Sequence, residues 1–355
     1  MRSRLFAAVE RSWREGGVLP TLLAPLGWLY GSVMHLRNRW YDAGLLRTHG
    51  LGLPTISVGN LTVGGTGKTP MSAWVAQELL QRGVPPAILL RGYGDDEPEV
   101  HRRLTPRALV IADPDRVRGA RAARQAGAQA IVLDDGFQHR RASRDLDLVL
   151  VAAEQGIPDR VLPAGPLREP RMGIARASAI LVTRKSASLA QATAVGEGWS
   201  RLAPRAPVVL VSLVLDRLRA ASSGSKATGT DGSPDGSAAE GDLPLTALAG
   251  ERVLVIAGVG DPHAFARQIE ALGAQVELEP FPDHAAFSDA DLAALSARAQ
   301  GVDRVVCTLK DAVKLGPRWP RNAPLLWYLS QRVVIERGGE VLTALLDRSV
   351  VRRDG

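Results

Sequence analysis

Beyond residue 50 the apolar positions fall into short runs rich in Val, Ile and Leu, separated by longer stretches of helical period. That alternation belongs to a parallel sheet covered by helices on both faces. Strands are expected at Thr55–Val58, Ala87–Leu90, Ala130–Leu133, Leu146–Val151 and Ala179–Thr183. Between them, Pro70–Arg82 opens with proline at a first helical position and stops before Gly83, and Asp115–Ala126 stops before Gly127. From Ser222 to Gly241 the chain is rich in Ser, Gly, Ala and Thr, a composition that cannot bury a core and reads as a flexible segment. A second α/β series follows, with strand Val253–Ala257, a Gly-Val-Gly turn, helix His263–Leu272, strand Gln275–Leu278, helix Ala290–Ala299 and strand Arg304–Thr308.

The first 50 residues follow a different pattern. From Gly16 to Leu36 there is no charge for 21 residues, about the length of a membrane span, but Pro20, Pro25, Gly27 and Gly31 interrupt it and disfavour a spanning helix. Leu22, Leu23, Leu26, Leu29, Tyr30 and Val33 recur at helical spacing, with Arg37, Arg39, Trp40 and Tyr41 directly after, as in a helix lying in a membrane interface. Residues 1–50 carry seven Arg against three acids, and six of the sixteen aromatics of the chain lie before residue 42, which favours an anionic membrane surface. A buried core helix is the competing reading of the same pattern. Arg2, Arg4, Glu10, Arg11, Arg14 and Glu15 interrupt any secretory signal.

Composition narrows the rest. The 355 residues are 45% hydrophobic and 23% charged, as in an ordinary globular protein, yet 44 Lys+Arg against 37 Asp+Glu leave a net charge of +7 and favour anionic partners. The basic residues are scattered and lack an aromatic-interleaved platform, so nucleic acid is not expected as a partner. A single cysteine, Cys307, lies in an apolar run, which excludes a disulfide framework and a cysteine metal site.

The strongest chemical signal is Ser57-Val58-Gly59-Asn60-Leu61-Thr62-Val63-Gly64-Gly65-Thr66-Gly67-Lys68-Thr69-Pro70, between an expected strand and an expected helix. In a phosphate-binding loop Gly64, Gly65, Thr66 and Gly67 would turn backbone N–H groups toward a nucleotide phosphate, Lys68 would reach the β/γ-phosphates and Thr69 would ligate magnesium. The strict pattern calls for glycine at position 62, where this chain has Thr62. A second signal is the apolar strand ending in Asp134-Asp135, since strand C-termini of a parallel sheet face the ligand crevice and either carboxylate could hold the magnesium of a nucleotide. The expected fold is therefore α/β: a P-loop NTPase-like parallel sheet with helices on both faces, plus a second, smaller α/β domain. The expected divisions are 1–50 for the membrane-associating segment, 51–220 for the P-loop domain, 221–243 for the flexible segment, 244–325 for the second domain and 326–355 for strands and a helix returning to the first.

Taken together, Gly59–Pro70, Arg91-Gly92-Tyr93-Gly94, Asp134-Asp135-Gly136-Phe137-Gln138-His139, Leu162–Glu169, Phe281-Pro282-Asp283-His284 and Thr308–Leu315 resemble the tetraacyldisaccharide 4′-kinases of lipid A synthesis. The resemblance spans residues 18 to 316. It implies two α/β/α domains joined by a hinge, with transfer of the ATP γ-phosphate to the 4′-hydroxyl of a tetraacylated glucosamine disaccharide 1-phosphate, at the cytoplasmic face of the bacterial inner membrane. No obligate protein partner is implied. The family's Asp-Glu-Pro segment falls on Asp96-Glu97-Pro98, making Asp96 the catalytic carboxylate, paired with His284, and Glu97 a metal ligand beside Asp135. Asp95 adjoins this segment and is the alternative alignment. Arg91, Arg116 and Arg168 are candidates for substrate phosphate and sugar, because a planar guanidinium suits phosphate. A membrane-associated P-loop ATPase or GTPase acting on a protein partner would share the loop and the strand-end aspartate; an acceptor for the phosphoryl group distinguishes the two.

Overall fold

Most of the Val- and Ile-rich runs form strands that are buried on both faces, and the helical stretches cover them. The computed structural model describes residues 9, 12–13, 18–92, 96–221, 241–259, 262–282 and 285–351. By contacts the chain divides into two units, one of Met1–Tyr93, His101–Val214 and Val333–Gly355, the other of Gly94–Val100 and Leu215–Arg332.

In chain order the elements are α1 (Val18–Leu22), α2 (Ala24–Asp42), β1 (Thr55–Asn60), α3 (Lys68–Gln81), β2 (Pro86–Leu90), α4 (Asp96–Leu104), β3 (Leu109–Ala112), α5 (Arg116–Gln125), β4 (Ala130–Asp134), β5 (Leu146–Ala152), β6 (Ala179–Arg184), α6 (Leu189–Ser200) and β7 (Val208–Ala220). In the first unit the strands run in the order β7-β6-β5-β1-β4-β2-β3. All these pairings are parallel, with β1 in the middle between β4 and β5. Alternation along β5 shows how the core is built. Leu146, Leu148 and Leu150 pack with Met71, Val75 and Leu79 of α3, while Val149 and Val151 pack on the opposite face with Trp199 of α6.

The second unit adds β8 (Leu243–Pro244), β9 (Arg252–Ala257), α7 (Pro262–Glu270), β10 (Gln275–Pro280), α8 (Asp289–Ala299), β11 (Arg304–Cys307), α9 (Leu309–Leu315) and β12 (Leu326–Arg337); helix α10 (Gly339–Val351) belongs to the first unit. Strands β10-β9-β11-β12 run again in parallel, and β8 pairs antiparallel with the second half of β7. Here Leu254 and Ile256 face α8 and α9, and Val253 and Val255 face α7. Cys307 is buried, as expected for a core residue. The expected strands and helices appear with end shifts of one or two residues, while β3 and β7 lie outside those expectations. Edge strand β3, Leu-Val-Ile-Ala, is only four residues long and half-exposed, and β7 opens on an apolar run but continues through Asp216, Arg217 and Arg219.

The N-terminal apolar stretch is two helices. Pro25 sits in the first turn of α2, where a missing N–H costs nothing. Gly27 and Gly31 are contact points: a Cβ on Gly27 would lie 3.0 Å from the Ala164 Cβ, and one on Gly31 would lie 3.2 Å from the Val161 side chain. Val18, Leu22, Leu26, Trp28, Leu29, Val33, Leu36 and Trp40 are exposed. Tyr30 and Leu23, expected on that apolar face, are half-buried instead. Among the described residues no helix is long and apolar enough to cross a membrane.

Candidate active site

Strand β1 delivers the chain into a loop that the rest of the first unit braces. Asn60 Nδ2 donates to Thr66 Oγ1 at 2.9 Å, and Thr183 Oγ1, at the end of β6, donates to the Thr66 carbonyl at 2.9 Å. Lys185 Nζ donates to the Gly65 carbonyl at 3.1 Å. Thr62 pairs with Leu167 across an antiparallel bridge and its hydroxyl donates to Gln155 Oε1 at 2.8 Å. The chain is thus still extended at position 62, and Gly64, at φ 107°, makes the turn. Gly67 has φ 88°, and a Cβ there would lie 2.4 Å from Leu213 Cδ1, so both the backbone and the space require glycine. As the left-handed N-cap of α3, Gly67 starts the helix at Lys68, two residues before the expected start at Pro70. Lys68 and Thr69 therefore occupy the first turn, whose free N–H groups and partial positive charge suit phosphate.

The two carboxylates after β4 have different surroundings. Asp134 is tied at both oxygens: Ser72 Oγ donates to Oδ1 at 3.0 Å, and the buried His101 meets Oδ2 at 2.8 Å through Nε2. Burial pushes the Asp134 carboxyl up, but His101, Lys68 and Ser72 outweigh it and hold the group below the ordinary carboxylate range. Asp135 adopts φ 52°, the left-handed region that aspartate tolerates better than most residues. That turn aims its carboxylate at the phosphate loop, with Oδ1 3.7 Å from Lys68 Nζ.

Behind Asp135 lies a polar network. Arg168 Nη1 donates to both Asp135 oxygens at 2.8 and 2.7 Å. Its neighbour Glu169 is fully buried and accepts from Arg176 at 2.9 Å, from Gln138 Nε2 at 3.1 Å and from Asn38 Nδ2 at 2.6 Å. Gln138 Nε2 also donates to the Asn60 carbonyl at 2.8 Å, reaching the start of the phosphate loop. Helix α2 enters this network at three points: through Asn38, through Tyr30, whose hydroxyl donates to the Arg168 carbonyl at 2.7 Å, and through Arg37, which donates to the Gln138 carbonyl at 2.9 Å.

The family model for tetraacyldisaccharide-1-P 4′-kinase, LpxK, matches residues 19–350. The chain belongs to this family. A tetraacyldisaccharide 4′-kinase of Anaeromyxobacter dehalogenans is 37% identical over 95% of this chain and 94% of its own length, and one of Geobacter sulfurreducens is 33% identical over 91% and 92%. The crystal structure of LpxK from Aquifex aeolicus in complex with ATP superposes with a TM-score of 0.72 at 28% identity, covering 94% of this chain and 99% of that one. These matches carry the kinase assignment, and the α/β P-loop-type fold agrees with it.

In this member of the LpxK family the remaining candidates lie as follows. Arg91 is exposed after β2. Arg116 is buried, with Nη1 donating to the Asp113 carbonyl at 2.7 Å, and burial draws its guanidinium below the usual arginine range. Asp96 and Glu97 stand in the first turn of α4, and Asp96 Oδ2 lies 3.2 Å from Lys314 Nζ. His284 and Asp95 lie outside the described residues. Magnesium, which the family implies, suits the donors on the loop side: Thr69 and Asp135 offer a hydroxyl and a carboxylate, hard oxygen ligands of the kind Mg2+ takes together with phosphate oxygens. Reading the sequence alone misses Ser72, His101, Lys185, Gln138, Glu169 and Asn38 as parts of this site. Gln138 and Glu169 do lie inside the family motifs, whereas Asn38 has no local signal.

Proposed function

We propose that the chain transfers the γ-phosphoryl group of ATP, as its magnesium complex, to the 4′-hydroxyl of a tetraacylated glucosamine disaccharide 1-phosphate at the cytoplasmic face of the inner membrane. The observation that carries this reading is the approach of Lys68 to Asp135 at 3.7 Å at the mouth of a glycine-turned loop, within a chain of this family. Backbone N–H groups of Gly64, Gly65, Thr66 and Gly67 cradle the phosphates, and the Lys68 ammonium neutralises charge that develops on the transferring group. Thr69 and Asp135 would hold magnesium, which would supply charge neutralisation at the phosphates, and Glu97 is the further metal ligand that the family motif implies. Asp96, with His284, takes the proton of the 4′-hydroxyl as its oxygen bonds to the γ-phosphorus and ADP leaves with the electrons of the broken bond. Arg91, Arg116 and Arg168 contact substrate phosphate or sugar; for Arg168 this is in addition to its hold on Asp135. The exposed apolar face of α1 and α2, with the exposed Arg39 beside it, suits an acylated substrate presented in an anionic bilayer.

The test is incubation with radiolabelled ATP, magnesium and a lipid A disaccharide precursor. Label is expected on the lipid with the wild type, and Lys68→Ala is expected to lower the rate by a factor of about 1000 while the fold is kept. Hydrolysis of ATP without labelled lipid would sink the kinase reading.

A further inference from the structure

Lys314 has no part in the reaction as read above, yet its ammonium contacts the segments that carry both members of the proposed acid–base pair. Nζ lies 3.2 Å from Asp96 Oδ2 and donates to the carbonyl of Ala285 at 3.3 Å. Ala285 directly follows His284 in the chain. The side chains of Lys314 and Asp96 are 20% and 5% exposed, so solvent screens the pair little. All three residues belong to the second unit.

The helix that carries Lys314 is itself fixed. Thr308 caps α9 by accepting from Asp311 N, and its hydroxyl donates to Asp311 Oδ2 at 2.7 Å. The same Asp311 oxygen accepts from Gly258 N at 3.0 Å, which ties α9 to the end of β9. Ala312, Val313 and Leu315 of the same helix are buried. A long, flexible side chain gives up rotamer freedom when held, and here two polar contacts on a capped helix hold it. The motif Thr308–Leu315 thus divides its work: Thr308 starts the helix, Asp311 anchors it, and Lys314 projects from it.

We infer that Lys314 is a positioning residue of the phosphoryl transfer, holding the Asp96 carboxylate and the backbone beside His284 in one geometry. The inference rests on the reading of Asp96 as the base. A base must stand within hydrogen-bond reach of the proton it removes, and groups on rigid second-tier supports keep that geometry better than groups on loops. One ammonium that fixes both segments therefore affects turnover and leaves nucleotide binding alone.

The experiment measures kcat and the KM for ATP of Asp96→Asn, Lys314→Met, Lys314→Arg and the double variant Asp96→Asn/Lys314→Met, with thermal melts alongside. Lys314→Met is expected to lower kcat by about tenfold or more with KM for ATP within about twofold, and Lys314→Arg to recover most of the loss, since the charge is restored. Added to Asp96→Asn, Lys314→Met is expected to cost no more than about twofold further, because the lysine acts through that aspartate. Three results overturn the role: full turnover in Lys314→Met while Asp96→Asn is inactive, an equal loss on both backgrounds, or a collapse of the melting temperature that Lys314→Arg repairs without restoring kcat. If Asp96→Asn itself turns over like the wild type, the reading of Asp96 as the base fails, and the positioning role fails with it.

Discussion

Asp134 gives both carboxylate oxygens to neighbours, Oδ1 to Ser72 and Oδ2 to His101, whereas Asp135 presents its carboxylate to two cations. The sequence leaves the pair equivalent as metal candidates; the turn at Asp135 separates them. Replacing Asp135 with Asn is expected to keep the fold and to lower kcat by a factor of about 100 or more, because a charge that orients the loop and would hold magnesium is gone. Asp134→Asn is expected to act on stability, since it leaves the buried His101 facing an amide in place of a carboxylate, at a cost of about 1–3 kcal/mol. Parallel urea titrations and single-turnover assays of the two variants check this, and equal stability losses would contradict the division of labour. Lys68 and Asp135 are legible in the sequence because each sits in a contiguous motif with a local backbone reason for its position. The Asn38–Glu169 bond is not, because its partners are 131 residues apart and nothing in spacing announces such a pair.

At the scale of elements, helix α2 has two faces with separate tasks. Gly27, Gly31 and Asn38 fit it to the body of the first unit, and Leu22 of α1 with Leu26, Leu29, Val33, Leu36 and Trp40 forms an exposed stripe at spacings of three and four. The sequence pattern marks the stripe but not its phase: Tyr30 shares the helical spacing of the leucines yet turns inward, because its hydroxyl finds the Arg168 carbonyl. The glycines likewise look like helix breakers until the loop they touch is seen; each costs about 1 kcal/mol of helix propensity, which close packing offsets. If the stripe docks in a bilayer as proposed, changing Leu26, Leu29 and Val33 together to Ser would remove roughly 4–6 kcal/mol of apolar burial there and leave the face toward the protein intact. The triple variant is expected to keep its melting temperature and to lose co-sedimentation with vesicles of zwitterionic and anionic lipid. Undiminished sedimentation would show that another surface holds the membrane.

For the whole molecule the alternation of strand and helix is legible because nearly every strand is buried on both faces and therefore appears as an apolar run. The grouping of Gly94–Val100 with the second unit is not, since it depends on contacts far along the chain. Part of the response of the chain to pH comes from partly buried groups of the first unit. His139 is pushed down to about 4 from 6.5, first by burial and then by Arg116, Arg144 and Arg141. Its folded pKa lies below its unfolded one, so at pH values well above 6.5 the imidazole is neutral in both states and takes nothing from stability. As the pH falls from 6.5 toward 4 the unfolded chain takes up a proton that the folded chain refuses, and stability declines by on the order of 1–2 kcal/mol once solvent screening of the partly exposed ring is allowed for. Asp134 acts later. Its lowered carboxyl pKa contributes stability above the unfolded value of about 3.9, and that contribution is lost only as the pH drops through the folded value. The urea midpoint of the wild type should therefore fall in two stages, a first between pH 6.5 and about 4 and a second below it. His139→Asn removes the titrating group and is expected to flatten the first stage while leaving the second in place. A first stage of the same slope in both proteins would show that the arginines around His139 do not keep the ring neutral and that another group sets the response to acid.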